Sequence, residues 1–352
     1  MNKTITLNKR QDAILEYIKE HEQASIAEIF SFIQKTFHTV AKITINRDLK
    51  KLINTGWVIP LGAGRAVVYE LSRTYALLQP IDVEHYFSVE PDQRRIHDTF
   101  QFDIFSQLNN IFSVEELNQL ELWQKKYRQK IQQLPPDALK KEFERLTIEL
   151  SWKSSKIEGN TYTLLETEEL IRRQKQSPNH TAEEAIMILN HKKTLNYIQQ
   201  NTEQFHTLSR HTIEEIHSLL IDGLGVSRNV RKILVRITGT TYTPLDNAYQ
   251  IEDALEQLCK LINATQNPFE KAVIAMLLIA YIQPFVDGNK RTSRLIGNAL
   301  LMAYDCCPLS YRSMDEMEYK KAMLLFYEQQ HIVYFKKLFL EQYHFAIDHY
   351  FG

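Results

Sequence analysis

Eleven consecutive apolar residues, Ala272–Ile282, constrain this chain more than any other feature. A helix built from them is apolar on every side, so it has no face to offer water and belongs at the centre of a domain. Eleven residues fall well short of the ~20 needed to cross a bilayer, so the stretch is a core helix and not a membrane anchor. Its start is marked by Asn267-Pro268-Phe269-Glu270: Asn267 can cap, Pro268 suits the first helical position, and Glu270 stands where a capping box places its acid. Its end is marked by Gln283-Pro284. Ten glycines and ten prolines in 352 residues leave few turns, which favours a mainly α architecture of long helices. The length suggests about two domains.

Composition excludes several classes. A net charge of −1 rules out a basic field or acidic tail over the whole molecule. Three cysteines, two of them adjacent (Cys306 and Cys307), supply neither a disulfide framework nor a tetrahedral zinc site. The opening residues MNKTITLNKR lack the apolar core of a signal peptide, so a cytoplasmic protein with no membrane contact is expected.

Residues 1–72 read as a first unit. Ile14, Tyr17 and Ile18 share one helical face, Ile26, Ile29 and Ile33 share another, and a third helix spans about 41–53 with Ile45, Leu49, Leu52 and Ile53 inward. Trp57-Val58-Ile59 and Arg65-Ala66-Val67-Val68-Tyr69 flank a Gly62-Ala63-Gly64 turn as two strands. Three helices and a hairpin outline a small α+β winged helix. Residues 1–71 hold ten basic against seven acidic side chains, and half of the cations sit on the third helix and the turn. Lys42, Thr44, Arg47, Lys50, Lys51 and Arg65 are the expected DNA-binding residues. A connecting helical segment follows over 73–136, and from 137 to 352 the chain is helical with one exception. Ile233–Tyr242 alternates β-branched and polar residues around Gly239, which predicts a β-hairpin inserted between helices.

After the core helix comes Phe285-Val286-Asp287-Gly288-Asn289-Lys290-Arg291-Thr292-Ser293-Arg294 and then a second helix. Gly288 permits close backbone approach, and the amides that open a helix attract an anion. Arg291 and Arg294, three apart, share a face, and Asp287 offers a hard oxygen to Mg²⁺. Together these parts describe a triphosphate–Mg²⁺ site.

The segment QPFVDGNKRTSR resembles the signature of the Fic family, His-Pro-Phe-x-(Asp/Glu)-Gly-Asn-(Gly/Lys)-Arg-x-x-Arg, at every fixed position but the first. The 233–245 hairpin is similar to the family's flap, which holds a target peptide in extended form. Ser154-Ser155-Lys156-Ile157-Glu158-Gly159 resembles the family's inhibitory motif, (Ser/Thr)-x-x-x-Glu-(Gly/Asn). The resemblance covers about 137–345. It implies an all-helical Fic fold with a β-hairpin flap, an inhibitory helix at about 140–158 and a signature loop at 283–294. The activity implied is transfer of AMP from ATP to a Ser, Thr or Tyr hydroxyl of a protein. By position, Phe285 would anchor the loop and Asp287 would hold Mg²⁺. Gly288, Asn289 and Lys290 would line the anion hole, Arg291 and Arg294 would grip phosphates, and Thr240, Thr241 and Tyr242 would belong to the flap.

The departure is Gln283, which stands where the family has its proton-accepting histidine. A carboxamide cannot take a proton near neutrality. ATP·Mg²⁺ binding is therefore better supported than transfer. His217, on an apolar helix, is the substitute base to check against a plain role as a hydrogen-bonded core histidine. Glu158, just before Gly159, ends its helix where the dipole disfavours a negative charge, so it needs a cation. The resemblance makes that cation Arg294, with Ser154 one turn earlier bracing the glutamate. Two functions stay open: an autoinhibited adenylyltransferase weakened or altered by Gln283, and a non-catalytic, nucleotide-sensing DNA-binding regulator. A toxin-like growth inhibitor ranks behind both, since the inhibitory motif is built in. A homodimer is compatible with either.

Overall fold

The computed structural model describes residues 7–54 and 56–351, leaving aside the side chains of Arg65, Arg73, Thr74 and Ala76. The chain is mainly helical, and its contacts divide it into two units: one runs up to Ile81 and includes Gln329–Val333, the other holds Asp82–Glu328 and Tyr334 onward.

In the first unit α1 (Lys9–His21), α2 (Ile26–Phe37) and α3 (Lys42–Asn54) enclose a core of Ile14, Ile18, Ile29, Ile33, Ile45, Leu49 and Leu52. Asn8 and Ser25 close capping boxes with Gln11 and Glu28, which fixes where α1 and α2 begin. Strands β1 (Gln23–Ser25), β2 (Val58–Leu61) and β3 (Val68–Leu71) form an antiparallel sheet in the order β1-β3-β2. Ser25 pairs with Val68 and Val58 with Leu71. Strand β1 has no sequence signature, because Gln23-Ala24-Ser25 is short and lacks alternation. A short α4 (Arg73–Leu78) completes the unit.

The second unit contains α5 (Val83–Ser88), α6 (Ile104–Gln107), α7 (Val114–Gln133), α8 (Pro136–Ile157), α9 (Leu164–Arg173), α10 (Ala182–Gln200), α11 (Arg210–Leu220) and α12 (Ala248–Ala264). It continues through α13 (Pro268–Ile282), α14 (Asn289–Ala303) and, but for the end residues Gln329 and Val333, α15 (Glu316–Gln329) and α16 (Val333–His349). Every residue of α13 from Phe269 to Ile282 is buried, as its all-round apolar sequence requires. The Asn267 side chain accepts from the Phe269 and Glu270 amides at 2.9 and 3.2 Å. Glu270 does not complete the capping box: its carboxylate faces the Phe112 amide at 3.5 Å, and burial raises its pKa.

Helix α14 packs along α13, with α8, α10, α11 and α12 around the pair. Gly297 on α14 packs tightly against α13: an added Cβ would lie 2.1 Å from Met276 Cε and 2.6 Å from its Cγ. Gly297→Ala is therefore expected to lower unfolding stability by ~1–3 kcal/mol through overpacking. Urea denaturation at constant m-value measures it, and an unchanged midpoint would mean that Met276 simply moves aside.

The β-hairpin expected over 233–242 is not formed. A turn occurs at Thr238-Gly239, but its arms make no ladder, and the bridge Thr99–Thr243 is isolated. Side chains hold the segment instead. Tyr242 stacks on Tyr281 and donates its hydroxyl to the Tyr281 carbonyl at 3.0 Å, Arg236 reaches Thr243 Oγ1 at 3.0 Å, and Arg94 donates to the Gly239 carbonyl at 2.5 Å. The backbones of the arms are tied to other parts of the fold and not to each other: the Thr243 amide donates to the Asp98 carbonyl at 2.8 Å. Among the described residues no helix is long and apolar enough to cross a membrane.

Candidate functional site

The polar turn 283–288 between α13 and α14 opens onto a cavity of about 660 Å³, within the range of small-molecule sites. Its floor is the start of α14. Gly288 sits at the N-cap with φ +82° and supplies no side-chain cap, so the first amides of α14 keep their donors for a ligand. A Cβ on Gly288 would press on Ile221 Cγ2 at 3.3 Å and His217 Cδ2 at 3.4 Å, and positive φ adds strain. The floor therefore favours glycine.

Asn289 ties the turn together: its Oδ1 accepts from the Phe285 amide at 2.8 Å, and its Nδ2 donates to the Phe285 carbonyl at 2.8 Å and Gln283 Oε1 at 2.9 Å. Gln283, at φ +52°, also donates Nε2 to the Ala280 carbonyl at 2.6 Å. Both ends of its carboxamide are thus engaged. Buried Arg231 staples the turn to the flap root, donating to the carbonyls of Gln283 (2.6 Å), Ile233 (2.8 Å) and Leu245.

His217 lies outside the cavity lining. Its Nε2 meets the Asp287 carbonyl at 3.0 Å and its ring stacks on Phe285 at 3.6 Å. Burial foremost, with Arg291 nearby, pushes its pKa down to about 4. Its contacts fit a brace for the loop in neutral form.

Arg291 lines the cavity and donates Nη2 to Asp287 Oδ2 at 2.8 Å, while its Nε and Nη1 are buried without partners. Such orphaned donors suit an anion. The Asp287 side chain is 63% exposed, leaving an oxygen open toward solvent. Among the described residues no cluster of three or more His, Cys, Asp or Glu could hold a metal alone. One carboxylate beside an anion hole fits Mg²⁺, which takes one or two carboxylates and completes its shell with phosphate oxygens and water.

Arg294 is wholly buried and does not line the cavity; Glu158 does. Arg294 Nη1 lies 2.9 Å from Glu158 Oε1, Lys290 Nζ is 3.8 Å from Glu158 Oε2, and the guanidinium sits over the Tyr319 ring. Burial alone would raise the Glu158 pKa, but Arg294, Lys290 and Arg291 outweigh it and hold the carboxyl below its ordinary value. Glu158 ends α8 as its C-cap, followed by Gly159 at φ +97°. Ser154 braces Arg294 and not Glu158, contrary to the sequence expectation: Arg294 donates Nε to Ser154 Oγ and Nη2 to the Ser154 carbonyl, both at 2.9 Å. The serine's position one turn before the glutamate fixed its face of α8, but not its partner.

The flap segment contributes its first half to the site. Val235, Arg236, Ile237, Thr238 and Gly239 line the cavity, whereas Thr240 and Thr241 lie beyond it and Tyr242 is turned into the core. The buried rings of Tyr319 and Tyr327 complete the wall and carried no sequence signal. In the first unit Lys42, Arg47, Lys50 and Lys51 are exposed on α3 and Thr44 is half-buried, while the Arg65 side chain falls outside the described residues.

Comparison with known proteins finds relatives of part of the chain. Residues 207–301 match the Fic/DOC family. The chain is 26% identical over 206 residues to a protein adenylyltransferase Fic of Nematostella vectensis, covering 54% of this chain and 46% of that one. It is 28% identical over 166 residues to the protein adenylyltransferase Fic of Drosophila melanogaster, covering 46% and 34%. The chain thus spans less than half the length of these curated relatives. Among solved structures, Fic-1 (residues 134–508) of C. elegans aligns with a TM-score of 0.58 at 18% identity, covering 68% of this chain and 71% of that one. A Fic-domain signalling protein of Bacteroides thetaiotaomicron aligns at 0.56 and 20%, covering 66% and 94%. These likenesses carry the fold.

Proposed function

From a chain that carries a Fic/DOC domain, we propose a protein that binds ATP·Mg²⁺ at the start of α14, is held in a blocked state by Glu158, and transfers AMP to protein hydroxyls weakly or in altered form because of Gln283. One observation carries the reading: a carboxylate fills the edge of a cationic cradle and keeps Arg294 behind it.

The first amides of α14 and Arg291 would receive phosphate oxygens, and Asp287 would hold the metal. Bound Mg²⁺ supplies charge neutralisation for the polyphosphate. Transfer of AMP makes a bond from the hydroxyl oxygen to the α-phosphorus, breaks the bond to the departing pyrophosphate, and frees the hydroxyl proton. Gln283 can orient that hydroxyl but cannot receive the proton, and loss of such a base typically slows catalysis by ~10²–10⁴. Arg294, paired with Glu158 and Ser154, is withheld from the distal phosphates. Free, buried Cys259, Cys306 and Cys307 accord with a reducing, cytoplasmic setting. The test is calorimetric titration of ATP·Mg²⁺ into the parent chain and Glu158→Gly; tighter uptake by the variant supports the reading, and no uptake by either rejects it.

A second reading, nucleotide sensing without turnover by a DNA-bound regulator, is favoured by the two-ended tether on Gln283 and the exposed cations of α3. Arg47, Lys50 and Lys51 present their charges opposite the buried face of Ile45, Leu49 and Leu52, as a recognition helix requires. Replacing all three with alanine is expected to abolish DNA retardation and to reduce the slope of log affinity against log salt by about 2–3. If retardation persists with the same slope, the first unit contacts protein and not DNA.

A further inference from the structure

Arg294 does not end the polar chain at Ser154. His191, wholly buried on α10, has Nε2 at 2.9 Å from Ser154 Oγ and Nδ1 at 3.0 Å from the Met187 carbonyl. Proton directions follow from chemistry. The guanidinium can only donate, so Ser154 Oγ accepts from Arg294 Nε. The Met187 carbonyl can only accept, so the His191 proton sits on Nδ1. Nε2 is then a bare acceptor, and the single hydroxyl hydrogen of Ser154 must go to it. Burial foremost, with Arg291 and Arg294 adding repulsion, pushes the His191 pKa down to about 3, so the ring stays neutral at any ordinary pH.

We propose that His191 is a positioning residue for nucleotide affinity: by taking the Ser154 hydroxyl hydrogen it aims the serine lone pairs at Arg294 and keeps that α14 arginine tied to α8. This rests on the blocked-site reading above and extends it to a residue outside every sequence motif. Without the acceptor, the Ser154 hydroxyl is free to turn toward a backbone carbonyl of its own helix, as serines within helices do, and the Arg294 bond loses its direction. His191 does not line the cavity, and its hydrogen bonds lead toward it through Ser154 and Arg294.

Two amides separate this role from mere packing. His191→Asn keeps a donor near the Nδ1 position but has no reach to Ser154, whereas His191→Gln extends an acceptor to where Nε2 stood. Calorimetry with ATP·Mg²⁺ is expected to show His191→Asn binding roughly 3- to 10-fold tighter than the parent, the scale of one lost buried hydrogen bond, with His191→Gln close to the parent. In a Ser154→Ala background His191→Asn should change affinity less than about twofold, because the route to Arg294 is already cut. Thermal melts of each variant establish that it is folded. Parent-like affinity in His191→Asn, or equal tightening by His191→Gln, overturns the inference. Glu158→Gly runs alongside: if it binds more tightly while His191→Asn does not, the blocked site stands and the role of His191 falls. If Glu158→Gly itself shows no gain, the underlying reading fails first.

Discussion

Gln283→His combined with Glu158→Gly is expected to label itself with AMP from ATP·Mg²⁺ at ~10²–10⁴ times the rate of Glu158→Gly alone. The factor is the contribution of a general base, and three nearby groups are poorly suited to replace it. His217 is committed to the Asp287 carbonyl and stacked on Phe285. Tyr327 is fully buried and its hydroxyl pKa lies well above the ordinary value, chiefly through burial. Asp287 is engaged with Arg291. Histidine also tolerates the left-handed backbone at this position better than most residues, so the exchange does not oppose the local φ of +52°. It does forfeit the bonds from Asn289 Nδ2 and to the Ala280 carbonyl, so melting temperature is measured beside activity. Intact-mass spectrometry after incubation reads the product. A folded double variant with no AMP adduct would mean that the reacting centre lies elsewhere or that another group is transferred.

Glu158→Gly by itself is expected to raise affinity for ATP·Mg²⁺ at least about tenfold while lowering the stability of the free protein. The gain follows from one charge-assisted donor, on Arg294, becoming available to a phosphate; such bonds contribute ~1.5–3 kcal/mol. The loss follows from stripping the carboxylate partner of a buried guanidinium. Breaking a fully buried pair costs about 3–5 kcal/mol, and ~1–3 kcal/mol is the fitting range here because a fifth of the Glu158 side chain is accessible. The two changes have opposite signs, so ATP·Mg²⁺ should restore the melting temperature of the variant more than that of the parent. The same pair carries a pH signature. The folded-state pKa of Glu158 is depressed, so its stabilisation is complete above the unfolded value near 4.5 and fades as pH falls through the lower folded value. Mild acidification to pH 6 therefore leaves the block in place.

How far the sequence reached depended on the range of the interaction. Ala272–Ile282 announced a central helix because burial on all sides needs no partner to be specified. Gly288, Arg291 and the α14 amides were legible because the cradle is a local construction of one turn and one helix start. Glu158 at the end of α8 was legible as a charge in an unfavourable place, and its pairing with Arg294 came only with the family resemblance. Ser154 was put on the correct face yet given the wrong partner, since i to i+4 spacing cannot weigh a bond within a helix against a bond across it. His191 and Arg231 left no trace in their neighbourhoods: the bonds that matter here, His191 to Ser154 and Arg231 to the Gln283 carbonyl, span 37 and 52 positions that only the fold brings near. The flap misled because alternation reports an extended backbone and says nothing about whether a second strand pairs with it.

The most direct test of the cradle is a paired titration of ATP·Mg²⁺ into Glu158→Gly and into Glu158→Gly carrying Arg294→Gln, with circular dichroism confirming both folds. Saturable one-to-one uptake by the first, weakened at least about tenfold in the second, is the result expected when the released guanidinium grips the polyphosphate. Equal affinities in the two variants, or no heat in either, would contradict it.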